Sequence, residues 1–352
     1  MPQKPVFIKT PKELAELNEN KCRPVFIDAF SRQIKELFLI ENPKFSVIDK
    51  KEVFEGREFH DFLEKRGKDF THVYFPWNNN LVKCVKEADY FKLKTNRNKD
   101  IITEKEQEKL ADFTVGIVGL SVGANIATAL IHSGFSKNIK ISDFDELDTT
   151  NLNRVRAKLS EIGDPKIDIV QRQILEINPY VKISLFAEGL NTKNIKDFVT
   201  GNPKPKLIFE IIDDFKMKIL IRKEAKKEKI SVVMLTSLGD SVLVDIERYD
   251  TEPKTELFNG KVSEKILEKI LNNKISEKEK HGYAMDIVGI ENIPAKVKNS
   301  IEKIGDTFVG RPQLMSTVTV ASGLAILIAR KIALGEKIPS GRKLVELGEF
   351  FD

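Results

Sequence analysis

The stretch TVGIVGLSVGANIATALIH, residues 114–132, restricts what this chain can fold into more than any other. Residues 115–118 are short, uncharged and rich in β-branched side chains with no polar alternation, the pattern of a strand covered on both faces. Residues 123–132 read as a helix, and Gly119, Ser121 and Gly123 at the junction are small enough for a tight strand-to-helix turn. The alternation then continues, with strands predicted at 138–145, 181–186, 205–212 and 231–237 and helices at about 165–177 and 215–228. It predicts an α/β fold with a Rossmann-like, doubly wound, mostly parallel sheet. Residues 240–250 break the rhythm and predict an antiparallel extension.

The flanks read differently. Residues 1–95 form a small N-terminal α/β region of unassigned role, with strands at 24–30 and 71–77 and a helix at 31–40, and no motif there carries chemistry. Residues 96–352 are the main domain, entered through a capping-box spacing at Thr103–Glu106. Residues 251–310 are rich in Lys, Glu and Asn and are expected as short surface helices and loops. A long helix over 312–334 precedes a turn-rich PSGRK at 339–343. The uncharged run 312–329 reaches the lower edge of membrane-spanning length, but Gln313, Ser316, Thr317, Thr319 and Ser322 make a buried helix the expectation.

Charge and cysteine content exclude several classes. The 58 Lys and Arg against 53 Asp and Glu give a net charge of +5 that is spread along the chain, so no nucleic-acid partner and no membrane are expected. Cys22 and Cys84 are the 2 cysteines, too few for a disulfide framework or a four-cysteine zinc site, and a reducing cytoplasm is the expected location. The N-terminus has no apolar core of a secretory signal.

The Gly119 turn admits several readings. Backbone N–H groups at a helix start hold phosphate, and Asp143 and Asp145, at the end of the next strand, stand where a carboxylate meets ribose hydroxyls. Gly119-x-Ser121-x-Gly123 also spells a hydrolase nucleophile elbow, with Asp213 and His281 in the chain order a triad needs. A plain tight connection is the third reading. Asn151, Arg154 and Lys166 follow Asp143 closely, and the two cations among them suit a triphosphate better than a nicotinamide dinucleotide.

From about residue 95 onward the chain resembles the ThiF/MoeB/HesA superfamily, the E1-like ATP-dependent activators of ubiquitin-like and sulfur-carrier proteins. The likeness rests on Asn96-Arg97, Gly119–Gly123, Asp143-Phe144-Asp145, Asn151–Arg154, Gly163–Lys166 and Asp213, in the family's order. It implies adenylation of a carboxylate with ATP and Mg²⁺, the carboxylate being the C-terminus of a small carrier protein or peptide. By the same likeness Gly119, Ser121, Gly123, Asp143, Asp145 and Asn151 would bind nucleotide. Asp143 would hold ribose, Asn151, Arg154 and Lys166 would bind the phosphates, Asp213 would position Mg²⁺ or the attacking carboxylate, and Arg97 would reach across a homodimer.

Three departures stand out. The glycine loop is one residue shorter than the family's, and Glu210 and Asp214 replace its Asp and Asn around Asp213. No cysteine follows Cys84, so neither zinc nor a thioester on this chain is expected. PVFIDAF, YFPW, GLSVG, VDIERYD and RPQL suggest a bacterial branch lacking those cysteines. Within it, Arg311, Gln313 and Arg342 are candidates for a carboxylate-binding cleft or for helix caps. The alternatives are a non-catalytic nucleotide-binding subunit and a nicotinamide-dependent oxidoreductase on the same fold.

Overall fold

The computed structural model describes residues 4–19, 23–135, 137–272, 276–301 and 303–350, so Cys22 lies outside the described residues. The chain divides into two compact units, residues 1–108 with 172–180 and residues 109–171 with 181–352.

In the first unit, β1 (Val6–Ile8), β2 (Val25–Asp28), β3 (Phe70–Phe75) and β4 (Asn80–Val85) form a four-stranded sheet in the order β1-β3-β4-β2. Helices α1 (Pro11–Asn18), α2 (Phe30–Glu41), α3 (Lys50–Glu55), α4 (Arg57–Arg66) and α5 (Glu87–Thr95) complete it. On α2, Phe30, Ile34, Leu37 and Phe38 recur at helical spacing and are buried. The Phe38 ring meets Phe45, Phe59 and Phe62 with centroids 5.2, 5.3 and 5.4 Å away, so aromatic packing supplies much of a small core. Of these strands, β2 and β3 lie where the sequence predicts them, whereas β1, only 3 residues long, and β4 are additional to that reading.

Helix α6 (Glu104–Asp112) opens on the expected box. Glu106 N donates to Thr103 Oγ1 at 3.3 Å and Thr103 N donates back to Glu106 Oε2 at 2.8 Å. The second unit then alternates β5 (Val115–Val118), α7 (Val122–His132), β6 (Asn138–Ser142), α8 (Lys166–Ile177), β7 (Lys182–Phe186), α9 (Ile195–Thr200), β8 (Leu207–Glu210), α10 (Phe215–Lys227) and β9 (Ser231–Leu238). With β10 (Ser241–Glu247) and β11 (Gly341–Glu346) they form one 7-stranded sheet in the order β11-β10-β9-β8-β5-β6-β7. Strands β5 to β9 pair in parallel, and β10 and β11 add antiparallel.

The pleat sends alternate residues of β5 to opposite faces. Val118 joins Phe198 of α9 and Met217 and Ile221 of α10 in one buried cluster. Ile117 lies against α7, its Cγ2 2.9 Å from where a Cβ on Gly123 would be. Helices therefore cover both faces, which makes the sheet doubly wound as expected. Helix α14 (Met315–Leu334) packs on α7, β9 and β10 and buries Thr317, Val318, Ala321, Ala325 and Ala329. Among the described residues it is the one helix long and apolar enough to cross a membrane by length and composition.

Two expectations change. Residues 339–343 do not end in turns, because Gly341 starts β11, which pairs with all but the last residue of β10 from Ser241↔Glu346 to Ile246↔Gly341. Residues 251–310 are not merely surface. Helices α11 (Glu264–Asn272), α12 (Glu277–Val288) and α13 (Ala295–Ile301) lie here, and Phe258, Val262, Ile270, Tyr283 and Ile287 form a core with Ile219 and Met234.

Candidate functional site

The chain runs from β5 to β6 and β7 on one side, then returns to β8 and β9 on the other, so the order reverses between β5 and β8. At such a switch point the loops after the two strands part and leave a crevice. Here those loops are residues 119–121 and 211–213. Gly119 N donates to Ser142 O at 2.9 Å and Ile211 N to Val118 O at 2.8 Å, which ties both loops to strand ends. Gly119 has φ +92°, and a Cβ on it would stand 2.5 Å from the Ile211 carbonyl oxygen. Only glycine fits, through both backbone conformation and space. Gly119→Ala should cost about 1–3 kcal/mol of stability, whereas Gly123→Ala, without positive φ and against a side chain that can shift, should cost less. Thermal melts check this; equal effects of the two substitutions would refute it.

Asp143 sits beneath the loop. Its Oδ2 accepts from Leu120 N at 2.5 Å and its Oδ1 from Asp145 N at 2.8 Å. Burial pushes its carboxyl above the usual range, against the pull of those two amides and of Lys166. Gly119, Ser121, Asp143, Asp145, Ile212 and Met217 line a cavity of about 320 Å³ at this end.

A second cavity, about 310 Å³, shares Ser121, Asp145 and Asp213 with the first and adds Asn151, Arg154 and Lys166. Ser121 is the N-cap of α7, yet no side chain caps that helix, so its first-turn amides and positive dipole end face the space that Val122 lines. Arg154 is positioned by Nε to Ser121 Oγ at 3.3 Å and by Nη1 to Thr150 O at 3.0 Å and Asn153 Oδ1 at 2.9 Å. Burial and then the like charge of Arg311 lower its pKa, with Asp213 opposing. The Lys166 side chain, 8% exposed, pairs with Asp145 at 2.9 Å. Asn151 closes a capping box with Asp148 on the 3-10 turn Thr149–Asn151. Asp213 projects into the cavity with its side chain 89% exposed, 3.6 Å from Arg311.

One loop, one helix start, the cations Arg154, Lys166, Lys218 and Arg311 and the exposed carboxylates of Asp145, Asp148 and Asp213 thus converge. Gly123 packs behind the loop on Ile117 and lines neither cavity. Arg97 is exposed on the 3-10 turn Asn96–Asn98 in the first unit. Ser121 Oγ faces a guanidinium, which cannot serve as a base, so the elbow reading finds no activated nucleophile here. His281 lies on α12, and its side chain is outside the description. Burial pushes the Cys84 thiol up to about 11 against a hydrogen bond from Tyr180, so it is protonated and inert near neutral pH.

The sequence reading missed the support behind the crevice. Glu210, at the end of β8, is fully buried and pairs with Lys218 Nζ at 2.8 Å and Arg222 Nη1 at 2.6 Å. Arg222 also meets Glu247 at 2.7 Å and stacks 3.9 Å from the Phe258 ring centroid. Burial alone would raise the Glu210 pKa, but Lys218 and Arg222 outweigh it and hold the carboxylate below its usual range. Asp214 caps α10 through Met217 N at 2.9 Å. Arg342 does not line the crevice but does cap a helix: its Nε binds Asp245 at 2.6 Å on the neighbouring strand, and its Nη1 donates at 3.2 Å to the carbonyl of Val288, the last residue of α12.

Fold and site together define a doubly wound α/β protein whose switch-point crevice gathers charged side chains at the start of a helix. The chain belongs to the ThiF family, whose model matches residues 93–348. It is 31% identical over 280 residues to an uncharacterized protein of Mycobacterium tuberculosis, covering 80% of this chain and 38% of that one. It is 26% identical over 182 residues to the tRNA threonylcarbamoyladenosine dehydratase of Bacillus subtilis, covering 49% of this chain and 70% of that one. Among solved structures, E. coli MccB with MccA shares the fold at TM-score 0.52 and 16% identity, over 82% of this chain and 76% of that one. The E. coli tRNA N6-threonylcarbamoyladenosine dehydratase in complex with AMP does so at TM-score 0.50 and 17% identity, over 71% and 97%. The chain thus spans well under half the length of the mycobacterial relative.

Proposed function

We propose that this chain activates a carboxylate by ATP-dependent adenylation, releasing pyrophosphate. The observation that carries the reading is the convergence of Arg154, Lys166 and the uncapped start of α7 on one cavity continuous with the Asp143 pocket. The nucleoside would occupy the Asp143 side and the phosphates the Arg154 side. A carboxylate is a weak nucleophile, so positioning and charge neutralisation are what this site offers. A substrate oxygen forms the new bond to the α-phosphorus, the bond to the β-phosphate oxygen breaks, and pyrophosphate leaves with that electron pair.

Asp213 fits a magnesium site of the kind in which one or two protein carboxylates share the ion with phosphates, because its carboxylate is accessible and only loosely paired. The ion would supply further neutralisation of phosphate charge. Membership of the ThiF family supports the reaction class, and MccB with MccA supports a peptide or small carrier as the substrate. The reading includes a homodimer in which Arg97 serves the partner's nucleotide, and action in a reducing cytoplasm.

ATP–pyrophosphate exchange with a panel of carboxylates tests it, beside binding of ATP and NAD. Carboxylate-dependent exchange is expected. ATP binding without exchange across peptides, carriers and tRNA would favour a non-catalytic subunit, and NAD binding without ATP binding would sink the proposal.

A further inference from the structure

The phosphate cavity opens into a third, of about 700 Å³, that shares Arg154, Asp213, Phe215, Arg311 and Gln313 with it. Its other walls are largely apolar: Leu238, Met285, Ile293 and Ile304 come from β9, from α12 and from the loops around α13. That volume falls within the range of sites that enclose a ligand. Two buried polar atoms in its wall have no partner, Arg311 Nε and Gln313 Oε1. The segment that bears them is held in place, since Asn153 Nδ2 donates to the Gln313 carbonyl at 2.8 Å. Other buried polar atoms also lack a partner, but these two belong to side chains that line a chamber open to a ligand, and it is that placement that gives them a use.

The two atoms ask for opposite things. Arg311 Nε is a donor and needs an acceptor such as a carboxylate oxygen; Gln313 Oε1 is an acceptor and needs an N–H. They lie two residues apart beside an apolar chamber that joins the phosphate cavity. We infer that the substrate is the carboxyl end of a peptide whose last residue has a large apolar side chain. Its terminal carboxylate meets Arg311, its last amide N–H meets Gln313, and its side chain fills the chamber. A simple organic acid has no N–H for Gln313, a terminal glycine leaves the chamber empty, and a nucleotide would meet apolar walls in place of cations. Arg311 and Gln313 are then positioning residues for this end of the peptide.

The inference rests on the adenylation reading, and the test separates the two. ATP affinity is measured by calorimetry, and exchange is measured with N-acetylated hexapeptides ending in Leu, Phe, Gly or Asp. A Leu-terminated analogue with an ester in place of the last amide, a tRNA pool and short-chain carboxylic acids complete the panel. Leu or Phe is expected to exceed Gly in kcat/KM by at least about 10- to 200-fold, the range for a missing methylene in an apolar pocket. The ester analogue should fall about 3- to 10-fold below the amide. Gln313→Ala should erase that amide–ester difference, which a merely structural role would not do. Met285→Glu should raise the KM for the Leu peptide while ATP affinity stays unchanged. Exchange indifferent to the last residue, or given only by tRNA or short-chain acids, overturns this inference and leaves adenylation standing. Absence of ATP binding overturns both.

Discussion

Glu210→Gln should lower the stability of the second unit by about 3–5 kcal/mol, the usual consequence of removing one partner from a buried ion pair. The substitution keeps the shape and removes the charge, leaving Lys218 without the carboxylate it meets at 2.8 Å and Arg222 with Glu247 alone. Since domains are stable by only about 5–15 kcal/mol, this should appear as a fall in Tm of roughly 10 °C. Its pH dependence has a definite sign. The folded Glu210 pKa lies below its unfolded value of about 4.3, so its contribution is complete above that value and is lost as pH falls through the folded one. Glu247 is pushed the other way by burial, and its contribution is lost as pH rises. The gap between wild type and variant should therefore be wide at pH 7 and narrow in acid. Ile212 N donates to Glu210 Oε1 at 3.1 Å, and Lys218 lines the phosphate cavity, so nucleotide affinity should fall with stability. A variant that melts within 2 °C of wild type at pH 7, about the shift of a rim ion pair, would show the network to be dispensable.

That network marks where the sequence stopped being readable. Residues 114–132 specify strand, tight turn and helix, because an uncharged strand beside Gly119, Ser121 and Gly123 has few other solutions. Asp145, Asn151, Arg154 and Lys166 lie within about two dozen residues of one another, and local connectivity brings them into one cavity. The Glu210 network joins β8, α10 and β10, and its closure at Glu247 depends on tertiary register. A signal was nevertheless present: Glu210 interrupts an apolar strand, and Lys218 and Arg222 recur four residues apart on the following helix. The wall from residues 251–310 was hidden for another reason. Phe258, Val262, Ile270 and the pair Tyr283 and Ile287 stand on separate short elements, so no single window shows the core they share. Strand β11 escaped because Pro339 and Gly341 signal a turn more strongly than Leu344 and Val345 signal an edge strand. Arg311 and Gln313 were visible as polar residues before a helix, but only their unpaired buried atoms give them a direction.

Arg154→Ala should lower kcat of carboxylate-dependent ATP–pyrophosphate exchange by about 10²–10³, the loss typical of one preorganised group aimed at developing charge. Its guanidinium is held by Ser121, Thr150 and Asn153, so little reorganisation remains when phosphate charge grows. Burial and neighbouring Arg311 disfavour its charge, and an arriving anion relieves that cost, which makes the interaction strongest where negative charge is greatest. Lys166 differs, because Asp145 already pairs with it at 2.9 Å. Lys166→Ala exposes an uncompensated carboxylate to the phosphates and should act chiefly on KM for ATP. Arg154→Lys keeps a charge but loses the planar fork that holds Ser121 and the backbone, so it should recover only part of the lost rate. Steady-state kinetics on folded variants separate these effects. An Arg154→Ala enzyme that binds ATP normally and keeps kcat within threefold of wild type would assign Arg154 to holding the Ser121 loop and leave the phosphate charge to Lys166 and the first turn of α7.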